Sequence, residues 1–269
     1  MLTSQQRPGI NQPDQPLQPP ALEIEGVSKT YWQGDRTVDA LAPINLTVKT
    51  GEFVCLVGPS GCGKSTLLSI VSGLEPASTG SVLAKGQPAV GPSPERLLLF
   101  QEAALFPWLD VQGNVEFGLR ERGIRPTERS AVAQRYVDLV HLTGFERSYI
   151  HQLSGGMRQR TAIARALAMD PALLLMDEPF GALDALTRDT LHEELESIWA
   201  STGKTILFVT HNVREAVALG DRVLVFSPRP GRIVAEFPID LPRTRSLQDH
   251  GLADKASEIL AVLTEEMRR

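Results

Sequence analysis

The chain has 269 residues and a formal net charge of −5, so we expect no protein-wide attraction to nucleic acid, and phosphate binding would need a local site. Hydrophobic residues make up 42% and charged residues 22%, which is ordinary for a globular protein with a sizeable core. Two cysteines, Cys55 and Cys62, make no disulfide framework and suggest no zinc site, which fits a reducing cytosol. No apolar run reaches the roughly 18 residues of a membrane span.

The N-terminal segment, residues 1–20, is rich in proline and glutamine and poor in large apolar side chains, which predicts a disordered tail. It lacks the basic and apolar regions of a signal peptide. We expect one globular domain over residues 21–250 and a short amphipathic helix over residues 251–269.

The ordered part begins with two segments of partly alternating, β-branched character. Antiparallel strands are predicted for "LEIEGVSKTY", which starts at Leu22, and for "INLTVKT". A buried parallel strand is predicted for "EFVCLVG", a continuous apolar run that ends in glycine. A helix is expected to follow it, from Lys64 through about Val71.

The middle of the chain reads as a helical subdomain, about residues 100–165, that follows a short strand in "RLLLFQ". A helix is predicted for "PTERSAVAQRYVDLVHLTG", starting at Pro126 and Thr127 and ended by Gly144. Its apolar face is expected to consist of Val132, Tyr136, Val137 and Val140.

Strands return in the last third of the domain, in "ALLLMDEP", "TILFVTH" and "RVLVFS", separated by helical spans such as "TRDTLHEELESIWAS". Strands that alternate with helices indicate right-handed crossovers and a parallel sheet covered on both faces. The predicted fold class is α/β, with a mostly parallel core sheet, an antiparallel β subdomain near the N-terminus and an inserted helical subdomain.

A phosphate-binding loop is predicted in "GPSGCGKST", because it follows G-x-x-x-x-G-K-[ST] between a strand and a helix. This is the P-loop NTPase pattern, in which backbone N–H groups point at phosphate oxygens. Lys64 is expected to reach the β- and γ-phosphates, and Ser65 to bind Mg²⁺ with its hydroxyl. The predicted cradle consists of Gly58, Pro59, Ser60, Gly61, Cys62, Gly63, Lys64, Ser65 and Thr66.

Cys62 admits two interpretations within this loop. It is either a tolerated small residue or a thiol made reactive by the helix N-terminus that follows it. The second interpretation predicts that alkylation of Cys62 blocks ATP binding and that saturating MgATP protects the thiol from labelling.

Polar residues end three of the predicted core strands. Asp177 is a candidate Mg²⁺ ligand, and Glu178, pointing the other way along the strand period, is a candidate general base for an attacking water. His211 could hydrogen-bond the γ-phosphate and Glu178, since ligands bind at the carboxyl ends of parallel strands. Gln101 is either a contact to Mg²⁺ or the attacking water, or an exposed loop glutamine.

A second anion-binding helix start is predicted in "QLSGGMRQR", where Ser154, Gly155 and Gly156 offer free N–H groups and a hydroxyl. Together with the phosphate loop, Gln101, "LLLMDEP", "GALD" and "TH", this motif resembles the ATP-binding-cassette (ABC) ATPases in every motif and in order, from about Leu22 to Arg232.

The resemblance implies that two copies pack head to tail, so that Ser154, Gly155 and Gly156 of one chain close over the γ-phosphate held by the other. It makes Glu178 the catalytic base and His211 the switch histidine. Asp184 would lie across the dimer interface. Tyr31 would stack on adenine, although the neighbouring Trp32 is an alternative.

The resemblance further implies a membrane partner. In the family, the region of "EAALFPWLDVQGNVEFGL" offers a groove to a short cytoplasmic helix of the permease, which an exposed Trp108 would suit. The alternative interpretation is that the large apolar residues of this stretch form the core of the subdomain. These residues are Leu105, Phe106, Leu109 and Phe117.

The candidate functions fall into three classes: an importer ATPase on a membrane partner, a soluble ABC ATPase and a metabolic kinase. A metabolic kinase has no use for "LSGGM", whereas a soluble ABC ATPase working on ribosomes or DNA would be expected to show a second cassette or long coiled coils. The importer ATPase, on the cytoplasmic face of the membrane, is favoured, and an ABC ATPase of another importer or exporter class is the alternative. The phrases "DEPFGALDALTRDTL" and "FSPRPGRI" look like the nitrate, sulfonate and taurine branch, whose small anionic solutes are delivered by an external binding protein, although "SPRPGRI" alone is explained equally well as a turn.

Overall fold

The computed structural model describes residues 19–34, 36–181, 183, 185–245, 247 and 249–268. The strands are β1 (Leu22–Gln33), β2 (Arg36–Val48), β3 (Phe53–Val57), β4 (Thr79–Ala84), β5 (Gln87–Pro88), β6 (Arg96–Leu99), β7 (Leu173–Asp177), β8 (Thr205–Val209), β9 (Arg222–Phe226) and β10 (Ile233–Pro238). The helices are α1 (Lys64–Ser72), α2 (Val111–Glu121), α3 (Pro126–Leu139), α4 (Gly155–Ala168), α5 (Ala185–Thr202), α6 (Val213–Leu219) and α7 (His250–Arg268).

A mostly parallel sheet forms the centre of the described chain, in the order β10-β9-β3-β8-β7-β6. All neighbouring pairs are parallel except β10 and β9 at one edge. Every residue of β3 and of β8 is buried, because both faces of the sheet are covered, one by helices and the other by α1 and the second sheet. The predicted parallel core sheet is confirmed.

A second sheet, in the order β2-β1-β4-β5, is antiparallel throughout the described strands, as the sequence predicts. Its apolar face and α1 share one hydrophobic core with one face of the central sheet. The other face of the central sheet belongs to a separate core, which includes the helices between β6 and β7. Alternation along β3 divides its side chains between the two cores: Val54 and Leu56 lie in the first, and Phe53, Cys55 and Val57 in the second.

The three helices α2, α3 and α4 lie between β6 and β7 and pack against one another. The predicted apolar face of α3 is present: Val137 and Val140 are buried, and Val132 and Tyr136 pack against the same core. The predicted end of this helix is wrong, because α3 stops at Leu139 and not at Gly144.

The early end of α3 has a local cause. His141 adopts a left-handed conformation with φ of 54°. Its N–H donates to the carbonyl of Asp138 at 3.0 Å, and the N–H of Leu142 donates to Val137 at 3.0 Å. These two bonds form a Schellman cap, a role that glycine usually takes. Leu142, 1% exposed, is buried as the apolar residue of this cap.

The C-terminal helix, α7, is amphipathic and buries Leu252, Ala256, Ile259 and Leu263 at helical spacing. It packs against α6 and β9, behind the central sheet. No helix in the described ranges is long and apolar enough to cross a membrane.

Candidate functional site

The site lies at the edge where the central parallel strands end. The register of the sheet places Leu56 of β3 and Asp177 of β7 on either side of Val209 of β8, so the three strands finish in one row. The segments that follow them, which begin at Gly58, Glu178 and Thr210, therefore meet at one edge.

The phosphate loop, residues 58–66, links β3 to α1 and depends on its glycines. A side chain on Gly58 would lie 2.8 Å from the Cβ of Phe226, and one on Gly63 would lie 2.6 Å from Leu41 Cδ2. Gly63 also has a φ of 108° as the N-cap of α1 and has no side chain to cap that helix. The first N–H groups of α1 are thus free to bind an anion.

Lys64 and Ser65 begin α1 and point to different partners. The Lys64 Nζ atom is buried and donates to the carbonyls of Gly58 at 2.8 Å and Pro59 at 2.9 Å, so the ammonium group lies across the loop. The Ser65 hydroxyl donates to Asp177 Oδ1 at 2.9 Å. The positive charge of Lys64 thus lies beside two oxygen atoms able to bind a metal ion, the Ser65 hydroxyl and the Asp177 carboxylate, at the start of α1.

Asp177 and Glu178 differ in environment. Burial raises the pKa of the Asp177 carboxyl above its ordinary value, and the negative charge of Glu178 raises it further. The hydrogen bond from Ser65 lowers it and offsets part of this increase. Glu178 follows the last residue of β7 and has a φ of 45°, so a left-handed turn sets its direction. The expectation that strand alternation orients Glu178 is therefore wrong.

His211 follows β8 and reaches Glu178. Its Nδ1 atom lies 3.0 Å from Glu178 Oε2, with the His211 side chain 59% exposed and the Glu178 side chain 23% exposed. With an ionised Glu178, the Nδ1 atom carries the hydrogen of this bond. The carboxylate is thereby held at the cleft wall by a histidine that is itself open to solvent.

A cleft of about 400 Å³ opens over the phosphate loop. It is lined by Tyr31, Val38, Ala40, Ser60, Gly61, Cys62, Gly63, Lys64, Ser65, Thr66, Glu178 and Arg229. Tyr31 is thus in the cleft wall, whereas Trp32 points to the opposite side of β1 and is 77% exposed. This geometry favours Tyr31 over Trp32 as the aromatic surface for a base.

Gln101 and the second helix start lie elsewhere in this chain. Gln101 is exposed after β6, and its Nε2 atom would be 3.3 Å from a side chain placed on Gly181. It lines a neighbouring cleft of about 300 Å³ together with Gly155. Ser154 caps α4 by accepting from the N–H of Met157 at 3.2 Å. Neither Gln101 nor Ser154, Gly155 and Gly156 is among the described residues that line the phosphate-loop cleft.

Comparison with known protein families agrees with this geometry. A family model described as ABC transporter matches residues 41–181, slightly more than half of the 269 residues. The chain belongs to the ABC transporter family. It is an ABC-type ATPase, and the resemblance stated from its motifs is confirmed.

Relatives of this ABC ATPase include two importer subunits. It is 49% identical to the taurine import ATP-binding protein TauB of Burkholderia pseudomallei (strain 1710b), over 82% of this chain and 85% of TauB. It is 48% identical to the nitrate import ATP-binding protein NrtD of Synechocystis sp. (strain PCC 6803), over 82% of this chain and 83% of NrtD. The dimeric, ADP- and Pi-bound post-hydrolysis structure of the cassette MJ0796 superposes with a TM-score of 0.72 at 32% identity, over 82% of this chain and 100% of that one.

Cys62 is buried within the phosphate loop of the ABC ATPase. The Cys62 side chain is 1% exposed, and its sulfur lies 3.5 Å from Lys64 Nζ. This burial favours the interpretation of Cys62 as a small packing residue over that of a reactive thiol. Asp184, predicted at the dimer interface, lies outside the described residues.

Sequence reasoning missed two features of the site. Arg229 lines the cleft, whereas the sequence predicts for "SPRPG" only a turn or a likeness to one importer branch, not a place in the site. Glu215 of α6, which is buried, bonds the Thr210 hydroxyl and His192 Nε2 beneath the His211 segment. The motif itself was a usable signal for Arg229, whereas no local pattern marks Glu215.

Proposed function

We propose that this ABC ATPase energises an importer that takes up a small anionic solute of the taurine, sulfonate or nitrate type. The observation that carries the proposal is one cleft lined by Lys64, Ser65 and Glu178, in a chain similar to TauB and NrtD. The solute class rests on what those relatives are named for. The ATPase role rests on the cleft, whose lining suits a nucleotide polyphosphate.

ATP would bind with its base on Tyr31 and its phosphates over the phosphate loop. Stacking of a base on an aromatic ring contributes about 1–3 kcal/mol. The N–H groups of the loop and of the first turn of α1 donate to the phosphate oxygens, and Lys64 adds a full positive charge. Lys64 reaches the β- and γ-phosphates by exchanging its carbonyl partners for phosphate oxygens.

The residues next to the phosphates fit Mg²⁺. The Ser65 hydroxyl and the Asp177 carboxylate supply the oxygen ligands that this cation prefers, 2.9 Å apart. The described residues hold no cluster of three or more acidic, histidine or cysteine side chains able to bind a metal unaided. Phosphate oxygens would therefore complete the coordination, with Gln101 joining only if it moves in from its neighbouring cleft. When bound, Mg²⁺ neutralises charge on the phosphates.

Glu178 is proposed as the general base and His211 as the residue that positions it. The Glu178 carboxylate accepts a proton from the water that attacks the γ-phosphate, and the hydrogen bond from His211 Nδ1 keeps the carboxylate at the cleft wall. General-base catalysis is worth about 10²–10⁴-fold in rate. The exposed edge of the His211 ring remains available to a phosphate oxygen when the imidazole is protonated.

A second copy of the chain is proposed to complete the site. Ser154 and Gly155 are exposed at the start of α4 and lie apart from the cleft of their own chain. In a head-to-tail dimer, these residues and Gly156 would face the γ-phosphate bound by the partner, and Asp184 would lie across the dimer interface. Each chain would then contribute the start of one helix to each of two sites.

The replacement Glu178→Gln tests the assignment of the base. We expect ATP to bind and hydrolysis to fall by about 10²-fold or more, because the amide cannot accept the proton. The variant should accumulate as an ATP-bound dimer in size-exclusion chromatography. Glu128→Gln, an equal change at an exposed position of α3, is the control and should hydrolyse ATP normally. Normal turnover by Glu178→Gln would refute the assignment.

Gly155→Glu in the Glu178→Gln background tests the second copy. Among the described residues, a Cβ placed on Gly155 meets only Leu183 Cδ2, at 3.5 Å, so we expect the single chain to tolerate the change. The added carboxylate would repel a phosphate held by the partner. We expect this double variant to bind ATP and to remain monomeric. A double variant that still dimerises with ATP would rule out the proposed role of the α4 start.

The membrane partner would be a permease that holds this subunit at the cytoplasmic face and receives its solute from an external binding protein. Trp108 is 69% exposed, and its ring lies 5.5 Å from that of Phe106, which in turn lies 4.2 Å from Phe117. An exposed tryptophan on two half-buried aromatic rings suits a protein contact. ATPase activity of the reconstituted complex should rise with taurine, an alkyl sulfonate or nitrate, and stimulation only by cationic or sugar solutes would exclude this branch.

A further inference from the structure

The loop between β9 and β10, residues 227–232, packs behind the phosphate loop. Gly231 is bonded to β2 through its N–H to the Ala40 carbonyl, at 3.0 Å, and through its carbonyl to the Ala42 N–H, at 3.0 Å. The Ser227 hydroxyl accepts from the N–H of Arg232 at 3.2 Å, which closes the turn. The loop is thus fixed to the scaffold at both of its ends.

The same segment touches both halves of the phosphate loop. A side chain on Gly231 would lie 2.0 Å from the Cys62 carbonyl oxygen, and a side chain on Gly58 would lie 2.8 Å from the Cβ of Phe226, just before the loop. These close approaches leave no room for another side chain between the two loops. A residue in the β9–β10 loop can therefore act directly on the phosphate-loop backbone.

Arg229 makes that direct contact. Its Nε and Nη2 atoms donate to the Gly61 carbonyl oxygen at 3.1 Å and 2.9 Å. This carbonyl belongs to the peptide whose N–H is that of Cys62, so the guanidinium holds one peptide of the cradle from its oxygen side. A cation at the oxygen of a peptide polarises it and strengthens the N–H as a donor.

Arg229 also adds charge to the cleft. Among the described residues that line it, Lys64 and Arg229 carry the two positive charges, and Glu178 carries the negative one. The proposed ligand brings several negative charges, and an exposed arginine at the cleft wall attracts them through solvent over a range of about 10 Å at moderate salt. Arginine holds a fixed fork of N–H donors, which a lysine lacks.

We propose that Arg229 is a positioning residue for nucleoside di- and triphosphates: it orients the Gly61–Cys62 peptide of the phosphate loop and sets nucleotide affinity, not the rate of hydrolysis. The proposal rests on the proposed function only in taking a nucleotide as the ligand of the cleft. It assigns the "SPRPG" motif a role in the site beyond that of a turn between two strands.

The test compares Arg229→Gln with Arg232→Gln in direct ATP and ADP titrations of the purified chain. Arg232 is exposed in the same turn but does not line the cleft, so both variants lose one charge from one segment. We expect Arg229→Gln to weaken both nucleotides about five- to tenfold, as for an exposed charge-assisted hydrogen bond. Arg232→Gln should bind within about twofold of the original chain, and Arg229→Lys should recover part of the affinity.

Steady-state kinetics separate positioning from a general loss of structure. Arg229→Gln should raise KM by the same factor as the dissociation constant and leave kcat at saturating ATP within about twofold. The reason is that the lost interaction stabilises the ground state and the transition state equally. Unchanged affinity in Arg229→Gln, an equal loss in Arg232→Gln, or a lowered kcat at unchanged KM would each overturn the proposal. The titrations measure binding to the single chain and require neither hydrolysis nor a dimer. They would therefore still test the role of Arg229 if the importer function or the assignment of Glu178 as the base proved wrong.

Discussion

Replacing Gly231 by alanine is the sharpest test of how the phosphate loop is supported. The added Cβ would lie 2.0 Å from the Cys62 carbonyl oxygen, 3.1 Å from the Cys62 carbonyl carbon and 3.3 Å from Leu41 Cδ2. The first of these distances is more than 1 Å below the roughly 3.3 Å of a close carbon–oxygen contact. No change of side-chain rotamer can relieve this clash, because the alanine methyl group has no alternative rotamer and the atom that it meets belongs to the backbone.

The cost follows from what must move. Gly231 is held by its two hydrogen bonds to β2, so the strain falls mainly on the Cys62–Gly63 peptide of the phosphate loop. Overpacking of this kind costs about 1–3 kcal/mol. For a domain of this size, a loss of about 2 kcal/mol lowers Tm by roughly 4–8 °C. Displacing the Gly63 N–H should also weaken phosphate binding, by about tenfold if one charge-assisted hydrogen bond is lost.

Thermal unfolding and an ADP titration of Gly231→Ala measure the two effects. Gly123→Ala is the control, because Gly123 has a φ of 74° and a Cβ there meets no atom of the described part of the chain within 4 Å. It should lose about 1–2 kcal/mol through left-handed strain alone and keep its ADP affinity. A Gly231→Ala chain with unaltered Tm and ADP affinity would refute the packing argument. An equal loss of affinity in Gly123→Ala would trace the effect to global stability.

Three further replacements have defined outcomes. Glu215→Gln should cost about 1–3 kcal/mol in urea unfolding, because the buried carboxylate accepts from Thr210 and His192. Asp177→Asn should abolish Mg²⁺-dependent hydrolysis and raise the Tm of the nucleotide-free chain at neutral pH. Burial raises the pKa of Asp177 in the folded chain above its value in the unfolded chain, so ionised Asp177 destabilises the fold at neutral pH, and this destabilisation disappears as the pH falls below the folded pKa. A lower Tm for Asp177→Asn would contradict this argument. Trp108→Ser should leave Tm and basal ATPase near those of the original chain, since Trp108 is 69% exposed, but should weaken co-purification with the permease; unaltered co-purification would argue against this contact.

Local patterns predicted the elements that depend on local causes. Continuous apolar runs identified β3, β7 and β8, because strands buried on both faces carry no polar alternation. The glycine spacing of residues 58–63 identified the loop, since only glycine accepts the conformation of Gly63 and the contacts of Gly58. Parallel strands then bring their following residues to one edge, which is why Asp177 and His211 could be paired with the loop from sequence.

Other features depend on contacts between distant parts of the chain and left no periodic signal. The conformation of Glu178 is tied to β8, since its N–H donates to Val209 at 2.9 Å. Arg229 reaches Gly61 across 168 positions of sequence. The cap at His141 shows the opposite case, in which a non-glycine residue takes a left-handed position that a glycine three residues later was expected to hold. Propensity misplaces such ends because tertiary burial, here of Leu142, outweighs it.

If two copies form the proposed head-to-tail dimer, the separation of the two helix starts predicts that assembly alternates with ATP binding and hydrolysis. In one chain the N-terminus of α1 lines the cleft, while Ser154 at the N-terminus of α4 does not. Each helix start carries about half a positive charge, and a γ-phosphate between two of them satisfies both. ADP lacks that phosphate and would leave the partner's α4 without its anion. Assembly should therefore follow the γ-phosphate, so that dimers form with ATP, persist when Glu178 cannot act, and separate once hydrolysis removes the group that both chains bind.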